Sequence, residues 1–290
     1  MSDIIKSYHF ETNIPGPHLL VFGAVHGNEP CGSQAAIQCI GDLEAGKLAL
    51  TAGSLTIVPV CNPAALEKNQ RFLEQNLNRV FKTHAEPAAY EEHLAHELTA
   101  LVDQCDVLLD LHSQGSEGKP FVFQDYEDEK TEGFAQALGV GTILKGWPEM
   151  FASEADLNAG DTVGYAHWQG KTAVLVECGQ HSDPQAKNVA YKTIMNSMIH
   201  LGMLDATGAA DRIIPEIIRA QKIVTVPDEG WTLRQKWGHL QDVGKDQVLA
   251  SNAAGQELKA PCDGVVILPK YAAKKGEEWF YLGIREVLKP

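Results

Sequence analysis

The chain has 290 residues, of which 44% are hydrophobic and 21% are charged, a composition typical of a globular protein with a sizeable core. Its formal net charge of −14 disfavours nucleic acids and anionic membrane surfaces as partners, so an anionic substrate would need arginines placed locally at its site. The first residues lack the apolar core of a signal peptide and no apolar run has the length of a membrane span, so we expect a cytoplasmic protein.

Apolar runs and helical periodicity predict alternating strands and helices over the first two-thirds of the chain. The predicted elements, in chain order, are a strand at 18–25, a helix at 30–44, a strand at 53–60, a helix at 87–104, a strand at 106–111, a helix at 131–138, a strand at 172–178 and a helix at 185–203. This alternation predicts an α/β fold with helices on both faces of a sheet. Ligands of such sheets lie beyond the carboxyl ends of the strands.

The pattern changes beyond residues 206–214, where short β runs at 222–226, 264–268 and 279–284 alternate with turn residues. We therefore expect two domains, a main α/β domain of residues 1–207 and a smaller, mostly-β domain of residues 208–290.

Two of the predicted strands lead into residues that bind zinc in proteins. The first is followed by His26 and Glu29, and the third by His112. Two imidazoles and one carboxylate make a three-ligand set that leaves one zinc coordination position open for water. Asp110 has two possible roles, as hydrogen-bond acceptor for a ligand imidazole or as part of a local turn. The alternative is that His26 only caps the following helix and that Glu29 complements its dipole.

Glu177 lies at the end of the apolar strand at 172–178. A carboxylate there is costly unless it is paired or functional. We interpret it as a general acid and base for metal-assisted hydrolysis, and the alternative is an ion pair with an arginine. Alternation along the strand turns the neighbouring Cys178 to the other side, which disfavours it as a nucleophile. The six cysteines form no Cys-x-x-Cys pair and are expected to be reduced thiols.

A second group of polar residues follows the strand at 53–60 and contains Arg71, Asn78 and Arg79. Arginine binds carboxylates through two parallel hydrogen bonds, and a neighbouring amide can add a third contact. The group therefore predicts a carboxylate-binding loop on the same side of the sheet as the zinc motif. The alternative is a solvated loop with ordinary surface charges.

Taken together, these motifs resemble those of the succinylglutamate desuccinylase/aspartoacylase family, part of the zinc carboxypeptidase-like group. The motifs, in the family's order, are His26-Gly27-Asn28-Glu29, Asn78-Arg79, Asp110-Leu111-His112 and Val176-Glu177-Cys178-Gly179. The resemblance covers nearly the whole chain. It implies a mixed sheet flanked by helices, a smaller mostly-β C-terminal domain and one zinc ion per chain.

The resemblance also implies roles for individual residues. The zinc ligands would be His26, Glu29 and His112, and the general acid and base would be Glu177. Asn78 and Arg79 would bind the substrate carboxylate. Arg71, which lies seven residues before Asn78, would polarise the scissile carbonyl.

The chain departs from the aspartoacylase pattern at two places. Aspartoacylases have an arginine upstream of the catalytic glutamate that contacts the side-chain carboxylate of the substrate, whereas residues 164–170 contain no arginine. This departure disfavours both aspartoacylase activity and a strict requirement for a dicarboxylate substrate. Tyr271 is the nearest candidate for the C-terminal tyrosine that contacts substrate in that subgroup.

The sequence thus predicts a zinc-dependent amidohydrolase that deacylates an N-acyl amino acid, a small anionic substrate. One alternative is a zinc carboxypeptidase acting on short peptides, and another is a metal-dependent binding protein without turnover. Assembly into a homo-oligomer is left open.

Overall fold

Eleven strands form one mixed sheet in the computed structural model, which describes residues 5–151, 160–205 and 213–286. The described residues contain fourteen strands in all, eleven in this sheet and three in a second one. They are β1 (Tyr8–Glu11), β2 (His18–Gly23), β3 (Ser54–Val58), β4 (Val107–Gln114), β5 (Phe121–Phe123), β6 (Thr142–Lys145), β7 (Thr172–Gln180), β8 (Glu216–Thr225), β9 (Thr232–Leu233), β10 (Gln241–Val243), β11 (Val248–Ser251), β12 (Glu257–Lys259), β13 (Gly264–Ile267) and β14 (Glu278–Glu286). The order in the large sheet is β1-β3-β2-β4-β7-β5-β6-β8-β14-β13-β10, and β12-β11-β9 form a separate sheet.

Helices pack on both faces of the large sheet. They are α1 (Pro30–Glu44), α2 (Pro63–Glu67), α3 (Tyr90–Gln104), α4 (Glu129–Ala137), α5 (Trp147–Met150), α6 (Thr162–Trp168) and α7 (Ala186–His200), with a 3-10 turn at Leu77–Arg79. One apolar core lies between the sheet and α3 and α6, and a second lies between the sheet and α1, α4 and α7. The predicted α/β fold with a mixed sheet flanked by helices is confirmed.

The three central strands, β2, β4 and β7, run parallel to one another. Leu109 pairs with Val21 of β2 on one side and with Val174 of β7 on the other. All three strands therefore end at the same edge of the sheet. The predicted site residues lie at this edge, His112 and Glu177 near the carboxyl ends of β4 and β7 and His26 after β2. The register also places His112 of β4 directly beside Glu177 of β7.

Two glycines allow the backbone to approach closely at this edge. A Cβ on Gly32, in α1, would lie 2.7 Å from Cβ of Leu111 on β4, so the glycine lets the helix pack directly against the strand. A Cβ on Gly27 would lie 2.1 Å from the carbonyl carbon of Ala65 in α2. Glycine at residue 27 therefore allows the turn between His26 and Glu29 to pack against α2.

The C-terminal region continues the large sheet through β8, β14, β13 and β10 and adds the small sheet. Its own apolar core includes Trp237 and Phe280. The predicted boundary between residues 207 and 208 falls in the segment 206–212, outside the described residues, and the division into two domains stays a prediction. Within the described ranges, no helix combines the length and the hydropathy that are needed to cross a bilayer.

The elements that the sequence analysis missed are mostly short. Strands β1 and β6 have four residues each and β5 has three, too few to show a clear periodicity. Strand β5 matters for the site, because it pairs antiparallel with β7 and places Phe121 beside Glu177.

Candidate metal centre and active site

His26, Glu29 and His112 form a compact cluster whose potential ligand atoms all lie within 4.8 Å of one another. Nδ1 of His26 lies 3.0 Å from Oε1 of Glu29, and Nδ1 of His112 lies 3.0 Å from Oε2 of the same carboxylate. Each of the three residues is only 2% exposed. Two imidazole nitrogens and a carboxylate that converge in this way match the donor set of a zinc site with an open position.

The protonation of the cluster also fits a cation. Nδ1 of His26 is enclosed and, apart from its 3.0 Å contact with Oε1 of Glu29, has no polar partner among the described residues. Burial lowers the pKa of His26 to about 4, which keeps the imidazole in the neutral form that binds metals. Burial would raise the pKa of Glu29, but His26 and His112 outweigh it and hold this pKa well below its usual value. His26 and Glu29 are therefore in the charge states that bind a metal ion.

Each imidazole has a polar partner on its far side. Nε2 of His26 lies 2.9 Å from Oδ1 of Asn76, and Nε2 of His112 lies 3.0 Å from Oδ2 of Asp110. Thr162 donates its hydroxyl to the same oxygen of Asp110 at 2.5 Å. Partners of this kind fix the orientation and tautomer of metal-binding histidines. Asp110 thus lies beside an imidazole of the cluster, where the first of its two predicted roles would place it. The sequence analysis missed Asn76, since a single loop asparagine carries no distinctive pattern.

Asp110 also influences the charge of His112. Burial would lower the pKa of His112, but Asp110 and Glu29 outweigh that effect and raise it well above its usual value. A cation that binds Nδ1 of His112 must therefore displace a proton, and metal affinity should fall as the pH is lowered.

The structure does not support the alternative in which Glu29 only complements the dipole of α1. This residue occupies the N-cap position of α1, but its carboxylate caps none of the N–H groups described for the first turn. It accepts instead the backbone N–H of Ser113 at 3.0 Å and contacts both histidines. The carboxylate is therefore directed at the cluster rather than at the helix.

Glu177 lies beside the cluster, in register with His112. Its Oε2 atom is enclosed and has no hydrogen-bond partner within the described ranges. This burial, with a further contribution from the Glu29 carboxylate, raises the pKa of Glu177 to about 8. A carboxyl group with a pKa near the working pH can both accept and donate a proton, as a general acid and base must. The neighbouring Cys178 packs in the core on the opposite face, where burial raises its pKa well above the usual value.

Arg71 brings a guanidinium group to the metal cluster. Its Nη1 donates to Oε1 of Glu29 at 2.9 Å, and its carbonyl accepts the N–H of Gly27 at 3.2 Å. The following loop is anchored by Glu91 of α3, whose carboxylate accepts the three backbone N–H groups of residues 73–75 at 2.7, 3.1 and 3.1 Å. This anchor stabilises the loop that carries Arg71 and, further on, the Asn-Arg pair.

Asn78 and Arg79 lie in the 3-10 turn rather than in an irregular loop. Oδ1 of Asn78 accepts the N–H of Thr162 at 2.9 Å, which ties the turn to the start of α6. Arg79 is half-buried and donates to the carbonyl of Asn78 at 2.6 Å. Within the described ranges, no carboxylate forms an ion pair with Arg79. These contacts contradict the alternative of an ordinary solvated loop.

Two tyrosines of the C-terminal region differ in their relation to the site. Tyr271, the predicted substrate contact, is 43% exposed and donates its hydroxyl to the carbonyl of Trp237 at 2.6 Å. Its role stays a prediction. Tyr281 donates to Oε2 of Glu278 at 2.6 Å, and burial raises its pKa while the charges of Arg79 and Arg71 act in the opposite direction. Of these two tyrosines, Tyr281 is therefore the one whose hydroxyl interacts electrostatically with Arg79 and Arg71.

Comparison with known proteins decides the family. The sequence model of the succinylglutamate desuccinylase/aspartoacylase catalytic domain matches residues 15–201. The chain belongs to this family. It is 27% identical over 286 residues to an N-alpha-acetyl-L-2,4-diaminobutyric acid deacetylase of Halomonas elongata, covering 89% of this chain and 79% of that protein. It is 29% identical over 123 residues to a succinylglutamate desuccinylase of Pseudomonas fluorescens, covering 39% of this chain and 36% of the relative.

The fold agrees with solved structures of the family. The crystal structure of a succinylglutamate desuccinylase/aspartoacylase from Rhodobacter sphaeroides superposes with a TM-score of 0.79 at 18% identity, covering 98% of this chain and 89% of that one. The match of the family model to residues 15–201 confirms the predicted family resemblance. Family members deacylate N-acyl amino acids, so the chain is placed among deacylating hydrolases.

Proposed function

We propose that this protein is a zinc-dependent amidohydrolase of the cytoplasm that removes the acyl group from an N-acyl amino acid. The observation that carries the proposal is the buried cluster of His26, Glu29 and His112 with Glu177 in register beside it. One zinc ion per chain would be held by the two Nδ1 atoms and the Glu29 carboxylate. When bound, the ion supplies polarisation of a water molecule and of the scissile carbonyl.

Glu177 transfers the proton in this reaction. Its enclosed carboxylate takes a proton as the water oxygen bonds to the carbonyl carbon, and it returns the proton to the amide nitrogen as the C–N bond breaks. The products are a carboxylic acid and a free amine. The raised pKa of Glu177 supports this role, because the group must hold the proton between the two steps.

Arg71 stabilises the negative charge that develops on the carbonyl oxygen. Its guanidinium is held at the cluster by the 2.9 Å contact with Glu29 and has further N–H groups to donate. A fixed donor aimed at a developing oxyanion contributes about 3–4 kcal/mol to transition-state stabilisation.

Asn78 and Arg79 bind the α-carboxylate of the substrate. The 3-10 turn orients both side chains, and Arg79 has no close ion pair with a described carboxylate. In a chain of net charge −14, recognition of an anionic substrate has to come from such a local cation.

The test is a hydrolysis screen of the zinc-loaded protein against acetyl-, succinyl- and formyl-amino acids, their carboxamide analogues and dipeptides, with detection of free amine. We expect turnover of N-acyl amino acids and a strong preference for the acid over the carboxamide. Faster hydrolysis of dipeptides would favour the carboxypeptidase alternative. Stoichiometric zinc without turnover of any compound would favour a binding protein. Glu177→Gln is the matched inactive control.

A further inference from the structure

A buried acidic group on the same face of the sheet as Glu177 suggests which amino acids the protein prefers. We propose that Asp125 binds a cationic group on the substrate's side chain, so that the preferred substrates are N-acyl amino acids with a side-chain amine. This inference rests on the proposed function and specifies its substrate class.

The position of Asp125 follows from β5. Phe121 pairs with Glu177 of β7, and directly paired residues lie on the same face of a sheet. Phe123 lies on this face too, in the apolar core that α3 and α6 cover. Gln124 extends the pairing of β5 with β6, because its N–H donates to the carbonyl of Leu144 at 2.9 Å. Asp125 is the next residue, two positions after Phe123, and we infer from the alternation of an extended chain that it belongs to this face. The positive charge of Arg79, the proposed ligand of the α-carboxylate, acts to lower the pKa of this carboxyl group.

One carboxylate oxygen of Asp125 is buried without a described hydrogen-bond partner. The residue is 9% exposed, and its Oδ1 atom is enclosed without a hydrogen-bond partner among the described residues. Burial raises the pKa of Asp125 well above its usual value, Asp161 and Glu149 raise it further, and Arg79 opposes them. A buried carboxylate in this state is stabilised by a cation that enters beside it.

The neighbouring carboxylates do not compete for that cation equally. Oδ1 of Asp161 already accepts the N–H of Gly164 at 2.5 Å and thereby caps α6. Glu149 is exposed to solvent. Asp125 is therefore the acid in this group that combines burial with an unpartnered oxygen atom.

The charges favour a substrate with two opposite charges. Arg79 offers a positive charge to the α-carboxylate, while Asp125, Asp161 and Glu149 together repel a second carboxylate. A side-chain ammonium, which is protonated at neutral pH, would restore the ionised form of Asp125. Two-point recognition of this kind would also orient the scissile amide between Arg79 and Asp125.

The test compares two substrates of the same length that differ in one charged group. Nα-acetyl-L-2,4-diaminobutyrate carries the ammonium, and Nα-acetyl-L-2-aminobutyrate lacks it. We expect the zinc-loaded wild type to prefer the cationic substrate by about 100-fold in kcat/KM, the loss typical when a buried charge loses its partner. Asp125→Asn should reduce this ratio to near 1. Glu149→Gln, which removes an exposed negative charge from the same group, should leave the ratio within about threefold, as exposed pairs contribute little.

The outcomes separate this inference from the proposed function. Equal turnover of both substrates by the wild type, or an unchanged ratio in a folded Asp125→Asn variant, would overturn the inference and leave the deacylase proposal intact. The wild-type ratio is informative even if the variant does not fold. Absence of turnover for every N-acyl amino acid would contradict the proposed function itself.

Discussion

Glu91 provides the sharpest test of how the site is positioned. The residue is fully buried on α3, and both of its oxygens accept hydrogen bonds from the segment that carries Arg71. Oε1 accepts from the N–H of Leu73 at 2.7 Å and from the side chain of Asn62 at 3.3 Å. Oε2 accepts the N–H groups of Glu74 and Gln75, both at 3.1 Å.

Replacing Glu91 by glutamine keeps the shape but turns one oxygen into an NH₂ group. That group cannot accept, so two donors lose their acceptor whichever way the amide is oriented. Hydrogen bonds to a charged group contribute about 1.5–3 kcal/mol each, which gives an upper range of about 3–6 kcal/mol. Because a loop can relax towards solvent, we expect the free energy of unfolding to fall by about 3 kcal/mol. Displacement of Arg71 and Arg79 should lower kcat/KM by about 100-fold.

The assay pairs urea unfolding with steady-state kinetics and metal analysis, and the matched control is Glu92→Gln. This neighbouring glutamate accepts the N–H groups of Ala88 and Ala89 at the start of α3. The control should lose only about 1 kcal/mol, as expected for a helix cap, and keep its kinetics. Zinc content should stay at the wild-type level in both variants. If Glu91→Gln matches Glu92→Gln in both stability and kcat/KM, Glu91 does not position the loop.

Three further predictions concern the metal, the proton transfer and the pH. His112→Ala should lose most of its zinc on dialysis, and full retention measured by metal analysis would contradict the ligand assignment. Glu177→Gln should keep its zinc and lower kcat by about 10²–10⁴-fold, because the amide cannot carry the proton, and near-normal turnover would exclude that role. Burial lowers the pKa of His239 to about 3. Between this value and about 6.5, the imidazole is therefore protonated in the unfolded state and neutral in the folded state. The free energy of unfolding is therefore unaffected by His239 above about pH 6.5, and protonation of the unfolded state lowers it by about 1.4 kcal/mol per pH unit below that value. Urea unfolding between pH 4.5 and 7 should show that the free energy of unfolding declines less steeply with falling pH in His239→Gln than in the wild type. Identical slopes in the two proteins would refute a lowered pKa of His239.

The sequence alone was sufficient to predict the central strands and the convergence of His26, Glu29 and His112. Apolar runs specify β2, β4 and β7 locally, and parallel strands necessarily end at a common edge. Residues at or just beyond those ends, such as His112 in β4 and His26 after β2, were therefore predictable as neighbours. Helix α1 was predicted with its observed bounds because periodicity and Pro30 near its first turn agree.

Only the tertiary structure decided which distant polar residues meet. Asn76 beside His26, Glu91 beneath the arginine loop and Asp125 near Arg79 carry no local pattern, since each depends on how separate segments pack. Strand β5, which leads to Asp125, is too short to show a period, and its antiparallel pairing with β7 is a long-range choice. Local periodicity determines where strands and helices form, whereas the partners of buried polar groups are determined by packing between segments far apart in the chain.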